Sequence, residues 1–319
     1  MAKYLLKRVL QAIGVVFCIS LITFFVLNIV PGNPVEIMLG EFADQATIAR
    51  VTHEMGLDQP IYIQYFSWLG NMLQGNFGTS YFQNKPVIDI LTSSFLVTAK
   101  LAGANMSNVA DKSPYILAVV LGVVVGVVAA VNHGKWVDPV LMTISVFGIS
   151  APAFWIAIIL QIVICLKFNL LPLSGIDSFK SFILPGIALG TRYAASIARI
   201  TRTSMLDVLS QDYIRTAEAK GLKGWVVTIK HALRNALIPI ITIAGSDLGN
   251  ILTGSVLVES VFSIPGIGKM LVDSINTRDL PIVQGGVMYI AVICVIMYLV
   301  VDLLYTVVDP RIRLGKESS

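Results

Sequence analysis

Three uncharged apolar runs, residues 9–30, 113–132 and 280–301, fix most of what this chain can become. Each has roughly the 20 residues that a helix needs to cross a hydrocarbon core of about 30 Å. Lipid offers no water to an unpaired backbone amide, so runs of this length are read as membrane helices. Residues 139–166 form a longer run interrupted by Pro152, which predicts a kinked or tilted span. Two weaker runs, 181–198 and 236–258, are interrupted by Arg192 and Asp247. The sequence therefore predicts an all-α polytopic membrane protein with six transmembrane helices. Composition agrees: 13% of residues are charged and mean hydropathy is +0.79, whereas a soluble domain carries about a quarter charged residues.

Lys and Arg set the orientation. With the N-terminus inside, Lys3, Lys7, Arg8, Lys135, the basic connection 199–234, and Arg311, Arg313 and Lys316 all stay in the cytoplasm. The opposite orientation would carry the densest basic loop across the membrane, so both termini are expected to be cytoplasmic. The net charge of +4 is then a topological bias and gives no ground for nucleic-acid binding. The first span starts like a signal peptide, but its core is 22 uncharged residues and no small-x-small site follows. It is expected to remain as an uncleaved anchor. Cys18, Cys165 and Cys294 lie inside apolar spans and read as small buried hydrophobes.

Between the first two spans, the outside segment 31–112 is aromatic and rich in turn formers. Its pattern predicts helices over 47–55 and 61–73, the second with Ile61, Tyr65, Trp68, Leu69 and Met72 on one face. A small folded cap on the membrane is expected. Residues 91–106 read either as an interfacial helix or as an outer extension of the second span, with a polar break over 105–112. A second outside loop, 259–279, contains Ile264-Pro265-Gly266-Ile267-Gly268, which enforces a sharp turn. A short helix over 270–275 follows.

The connection 199–234 is the main functional candidate. Over 204–220, Met205, Leu209, Tyr213 and Ala217 recur every four residues on one helical face. Ala217 and Ala219 are small enough to let another backbone approach. Gly221 permits the left-handed conformation that ends one helix and aims the next. A second amphipathic helix, 225–235, leads into the fifth span. An ordinary interfacial loop fits the same composition.

The loop resembles the coupling ("EAA") loop of permease subunits of bacterial ABC importers. Gly221 stands at that motif's glycine, with Ala217 and Glu218-Ala219 in its helical part. The literal Glu-Ala-Ala is absent, and His231-Ala-Leu-Arg234 replaces Ile-x-Leu-Pro. Both departures are similar to the peptide and nickel branch, where Arg-Thr-Ala-x-Ala-Lys-Gly is followed by His-x-Leu-Arg-Asn-Ala-x-x-Pro. Pro31-Gly-Asn-Pro34, Gly56-Leu-Asp-Gln-Pro60, Asn76-Phe-Gly-Thr-Ser80 and Pro86-Val87 resemble the outside segment of that branch. Gly148-Ile-Ser-Ala-Pro152, Glu259-Ser-Val-Phe-Ser-Ile-Pro-Gly-Ile-Gly268, Arg278-Asp-Leu-Pro281 and Asp302-Leu-Leu-Tyr305 with Asp309-Pro-Arg311-Ile-Arg313 extend the likeness over nearly the whole chain. Against it, residues 105–112 look like an insertion.

This resemblance implies a type I ABC importer permease of MetI-like fold in a bacterial inner membrane. Residues 1–112 would be a transmembrane helix plus cap, and residues 113–319 a five-helix core with the coupling loop. It implies a second homologous permease, two cytoplasmic ATPases, an extracytoplasmic substrate-binding protein and membrane lipid as partners. ATP and Mg would bind the ATPases, so no cofactor is expected in this chain. Asp212, Tyr213, Arg215, Ala217, Glu218, Ala219, Lys220 and Gly221 would meet an ATPase. Glu259, Phe262, Pro265, Gly266 and Gly268 would face the binding protein. Di- or oligopeptides are the expected cargo, with nickel or metal chelates and glutathione as alternatives in the same family.

Gly268-Lys269 invites a P-loop reading, but Met270 stands where Ser or Thr is required and Ser263 where Gly is. ATP hydrolysis is therefore assigned to other subunits and the chain is not read as an enzyme. Arg192 and Asp247 have two readings: lining a polar translocation path, or pairing to hold helices together. Gly122-x-x-x-Gly126 and Gly245-x-x-x-Gly249 allow tight helix contacts. A secondary transporter would need coupling carboxylates and an inverted repeat. An intramembrane enzyme would need a nucleophile–base or metal pair, and His53, His133 and His231 are scattered.

Overall fold

Helices dominate the computed structural model, which describes residues 2–29, 34–39, 43–103, 114–176, 178 and 180–308. In chain order they begin with α1 (Ala2–Ile29), α2 (Pro34–Leu39), α3 (Gln45–Glu54), α4 (Ile61–Leu73) and α5 (Val87–Ala102). Next come α6 (Pro114–Val131), α7 (Val137–Ser150), α8 (Ala153–Leu160), α9 (Lys180–Leu209) and α10 (Asp212–Ala219). The last are α11 (Gly224–Val226), α12 (Arg234–Leu252), α13 (Val256–Val261), α14 (Ile267–Thr277) and α15 (Leu280–Val308). The polar stretch 105–112, most of Pro31-Gly-Asn-Pro34 and the tail with Arg311, Arg313 and Lys316 lie outside the described residues. Contacts divide the chain into two units, Met1–Leu96 with Pro265–Ile296, and Val97–Ile264 with Met297–Ser319.

In the first unit, α3 begins where the Asp44 carboxylate accepts from the Thr47 amide at 3.3 Å, a side-chain N-cap. The α4 helix follows the expected bounds and turns Tyr65, 3% exposed, against α1. The Tyr65 and Ser20 hydroxyls share a hydrogen bond of 2.8 Å, and the Tyr65 and Phe24 rings meet edge to face at 5.4 Å. Ile61, expected on that inner face, is exposed: it stands on the first turn of α4, before the helix reaches α1. A core of Val87, Ile90 and Leu91 packs with Ile267, Met270 and Ile282. Cys18, expected to be buried, is exposed on the apolar α1.

The second unit is built on α9. Gly122 and Gly126 lay α6 directly on its backbone. A Cβ on Gly122 would stand 2.6 Å from the Ala194 carbonyl oxygen, and one on Gly126 2.5 Å from that of Ala198. The small-residue spacing thus does here what small residues do in membranes, letting two helix backbones touch. Gly245 instead makes room for a side chain, a Cβ there standing 2.5 Å from Val301 Cγ2, whereas Gly249 is in ordinary contact with Met297.

Among the described residues, four helical segments are long and apolar enough to cross a membrane: Leu6–Asn28, Pro114–Val131, Gly224–Leu252 and Leu280–Leu303. Val137–Ser150 and Ala153–Lys167 qualify together but bend by 94°. The cause is Pro152, which cannot donate a backbone hydrogen bond and holds Ala151 extended at ψ 126°. The kink expected in this run is therefore a full break. The α9 helix is about 45 Å long at 1.5 Å per residue, but its charges keep it out of the apolar set. The fifth expected span, 236–258, ends early at Leu252, because Gly254 adopts φ +100° and stops the helix. It also starts earlier, since the amphipathic stretch 225–235 joins α12 through a π-helical turn, Val227–Leu233.

Candidate functional site

The connection after α9 folds into a compact hairpin. Residues 204–220 do not form one helix, because Gln211 is extended (φ −78°, ψ 148°) and separates α9 from α10. Leu209 therefore ends α9, and the inward register of α10 falls on Ile214 and Ala217, 1% and 7% exposed. They pack with Met205, Val227, Ala232 and Ala236, so α10 shares a core with α9 and α12. Tyr213, expected on one face with Met205, Leu209 and Ala217, is exposed and so parted from buried Ala217, and its hydroxyl accepts from the Asn235 side-chain amide at 3.0 Å.

A left-handed glycine ends α10. Gly221 has φ +78°, its amide donates to Glu218 at 2.8 Å, and the Leu222 amide donates to Ala217 at 3.4 Å. These are the two bonds of a Schellman C-cap, which favours glycine at this position. Lys223 is then extended and starts α11.

The chain leaves the outer face of this hairpin open. Asp212, Tyr213, Arg215, Glu218, Ala219, Lys220 and Gly221 are exposed, while Ala217 is turned inward. Arg215 and Asp212 sit 4.0 Å apart in a solvated pair, an arrangement of little stabilising weight. Leu222, Trp225 and Ile229 add exposed apolar area, Trp225 at 68%. Their signal in the sequence is a tryptophan beside glycine and lysine.

The two charges within the predicted spans both lie in the second unit. Arg192 on α9 is exposed, and Asp247 on α12 is partly buried, its Oδ2 enclosed and without a hydrogen-bond partner among the described residues. Among the described residues no ion pair within 4.0 Å joins them, although each lies in the electrostatic reach of the other. Beside them the Tyr115 and Tyr193 rings meet edge to face at 5.8 Å, and the Tyr115 hydroxyl donates to the Ala244 carbonyl. A charge at the bilayer centre costs about 2.5–3.5 kcal/mol on insertion scales, so exposed Arg192 must face protein or water.

Sequence reasoning missed two buried polar contacts. The His133–Asp138–Arg202 cluster joins the α6–α7 turn to α9, with Arg202 Nε 2.5 Å from Asp138 Oδ1. Thr98 donates at 2.9 Å to Glu259, which is 0% exposed. Their partners stand 64 and 161 residues apart, beyond the reach of local patterning.

Of the five residues expected to face a binding protein, Glu259, Phe262, Gly266 and Gly268 are buried and Pro265 is exposed. In the first unit, buried Asp279 accepts from the Ser80 hydroxyl at 2.5 Å and the Tyr81 amide at 3.3 Å. Burial, helped by the Asp279 charge, pushes the Tyr81 phenol up to about 12.

Residues 122–314 match the family described as binding-protein-dependent transport system inner membrane component. Residues 1–102 match the N-terminal region of such membrane components. The glutathione transport system permease protein GsiC of Escherichia coli strain K12 is 41% identical over 313 residues, covering 98% of this chain and 99% of that protein. GsiC of Salmonella typhi is similar to the same extent, 41% identical with 98% and 99% covered. A solved amino acid ABC transporter with histidines is similar over 70% of this chain and 94% of that one, at 19% identity and a TM-score of 0.47. That last likeness is too slight to argue from.

Proposed function

Because this chain belongs to the family of binding-protein-dependent transport system inner membrane components, we propose that its α9–α10–α12 hairpin receives force from cytoplasmic ATPases. It is a polytopic permease of a bacterial ABC importer with a MetI-like helical fold. The observation that carries the proposal is the two-sided character of α10. One side is fixed by Ile214 and Ala217 to the core of α9 and α12, and the other is open. A push on the open side is thereby delivered to two long helices rather than absorbed in a loose loop.

The exposed Tyr213, Leu222 and Trp225 suit a protein cleft, and Arg215, Glu218 and Lys220 suit its polar rim. In this reading the hairpin and both termini are cytoplasmic, and a second homologous permease completes the path. An extracytoplasmic binding protein delivers the solute. Two ATPases bind ATP and Mg and alternate the permeases between inward-open and outward-open states.

Di- or oligopeptides are the proposed cargo. Glutathione is the second reading, favoured by the name of the 41% identical relatives. Glutathione is itself a modified tripeptide, so both readings ask for the same polar, charged path.

The test is ATP-driven uptake in proteoliposomes holding the assembled transporter. Gly221→Pro removes the amide that caps α10 and imposes φ near −65°. ATP hydrolysis should continue while uptake falls to background. Uptake at the unaltered rate would remove the hairpin from the coupling route.

A further inference from the structure

The α9 helix carries a polar stripe that its own chain leaves open. Arg192, Ser196, Arg199 and Thr203 follow one another at spacings of four, three and four residues, and so lie along one face. Arg192, Arg199 and Thr203 are exposed and Ser196 is half-buried, whereas the opposite positions Ile197 and Thr201 are 0% exposed. Arg192 stands about 18 Å along a helix of about 45 Å, well inside the depth of a bilayer. The exposed Arg192 guanidinium cannot face hydrocarbon there, and the stripe runs on from it toward the proposed cytoplasmic end of α9 at Arg199 and Thr203.

A carboxylate stands near its upper end. Asp247 acts electrostatically with Arg192 and with the Tyr193 and Tyr115 phenols, yet no ion pair within 4.0 Å joins it to Arg192 among the described residues. Positions 241–248 of α12 are all half-buried, as expected for a helix bordering a cleft rather than one sealed in a core. Opposite charges on two packed helices that do not close on each other leave room for a third group to bridge them.

Resting on the proposed function above, we propose that Arg192, Ser196, Arg199 and Thr203 of α9, with Asp247 of α12, line the wet solute path and hold a zwitterionic solute. The arginines take its carboxylate, for which a guanidinium offers forked donors. Asp247 takes its ammonium group. Peptides with free termini and glutathione share this chemistry, and the site recognises what they share.

Cysteine accessibility in the assembled transporter tests this, with Cys18, Cys165 and Cys294 first replaced by Ala. A charged methanethiosulfonate should label Ser196→Cys and Thr203→Cys about tenfold faster than Ile197→Cys and Thr201→Cys, as open positions react faster than closed ones. Dialanine or S-methylglutathione should slow the labelling of Ser196→Cys severalfold. Their N-acetylated, C-amidated analogues should not, and Arg192→Gln with Asp247→Asn should abolish the protection. No labelling of Ser196→Cys in any nucleotide state would assign the stripe to a protein interface and overturn the proposal. Equal slowing by the capped analogues, or none by either solute, would overturn the charge recognition. ATP-driven uptake of the two solutes by the unaltered transporter is measured in parallel. Its absence would count against peptide import while leaving the accessibility result to stand or fall by itself.

Discussion

Asp138 and Arg202 are joined by a forked ion pair in the second unit, Nε to Oδ1 at 2.5 Å and Nη2 to Oδ2 at 2.6 Å. His133 Nδ1 lies 3.0 Å from the same carboxylate. The pair fastens the first turn of α7 to the C-terminal half of α9, close to where the α9–α10–α12 hairpin begins. Only 5% of the Asp138 side chain is exposed, so its charge depends on these partners.

Removing the guanidinium should therefore cost more than removing the carboxylate charge. Arg202→Ala leaves a buried carboxylate facing a half-open gap, a loss of about 3 kcal/mol. Asp138→Asn keeps the shape and one hydrogen bond, and should cost about 1 kcal/mol. Arg202→Lys should recover only part of the loss, because an ammonium cannot reproduce the fork. Thermal unfolding of the purified transporter should show Arg202→Ala melting lowest, below both Arg202→Lys and Asp138→Asn. Arg202→Ala melting with the unaltered protein would show that the pair is not closed in the membrane.

The seam between α6 and α9 gives a contrast between two glycines. At Gly126 an added Cβ would stand 2.5 Å from both the Ala198 oxygen and Thr201 Cβ. Gly126→Ala should force the helices apart and cost about 1–3 kcal/mol, the usual range for overpacking. At Gly70, inside α4, a Cβ would meet nothing within 4 Å. Gly70→Ala should be neutral or stabilising by up to about 1 kcal/mol, since it restricts the unfolded chain. Melting shifts of the same sign for both would contradict the close approach of α6 to α9.

Much of this fold is legible in the sequence because membrane solvation acts on runs of residues. The uncharged runs at α1, α6 and α15, the α4 bounds, the Pro152 break and the Gly221 cap all follow from local rules. What escaped depends on contacts between distant positions. The periodicity of Met205, Leu209, Tyr213 and Ala217 is real, but the Gln211 break resets the register, so Ile214, and not Tyr213, is buried with Met205 and Ala217. Exposure of Arg192 with Ser196, Arg199 and Thr203 could not be read from the sequence, because it depends on which face of α9 α6, α7 and α12 cover. The burial of Glu259 likewise depends on Thr98, which a pattern in the loop 259–279 cannot reveal.

That burial makes Glu259 a structural anchor whose loss is measurable. Its carboxylate accepts from Thr98 at 2.9 Å, and its backbone carbonyl accepts from the Ile264 amide at 2.8 Å. Thr98→Val keeps the volume and removes the donor, leaving a buried carboxylate with one bond fewer. A cost of about 1–3 kcal/mol is expected, the range for a hydrogen bond to a charged group. Glu259→Gln retains an acceptor oxygen, and it should suffer less than Glu259→Ala, which also opens a cavity. Protease sensitivity of the 253–264 stretch should rise in the order Gln, then Ala. Equal sensitivity in both would argue against the Thr98 contact.

A graded series at Gly221 separates conformation from bulk. The glycine sits at φ +78° with nothing within 4 Å of where a Cβ would stand, so space is not the constraint. Asn tolerates the left-handed region and should hold the cap at little cost. Ala should cost about 1–2 kcal/mol, the penalty of a left-handed L-residue. Val, branched at Cβ, should cost more. If the cap sets the angle between α10 and α11, the ratio of solute imported to ATP hydrolysed should fall from Gly to Asn to Ala to Val. ATP hydrolysis alone should change far less if, as proposed, the ATP sites lie on other subunits. A ratio that is the same for Asn and Val would mean that the left-handed turn is not needed for coupling.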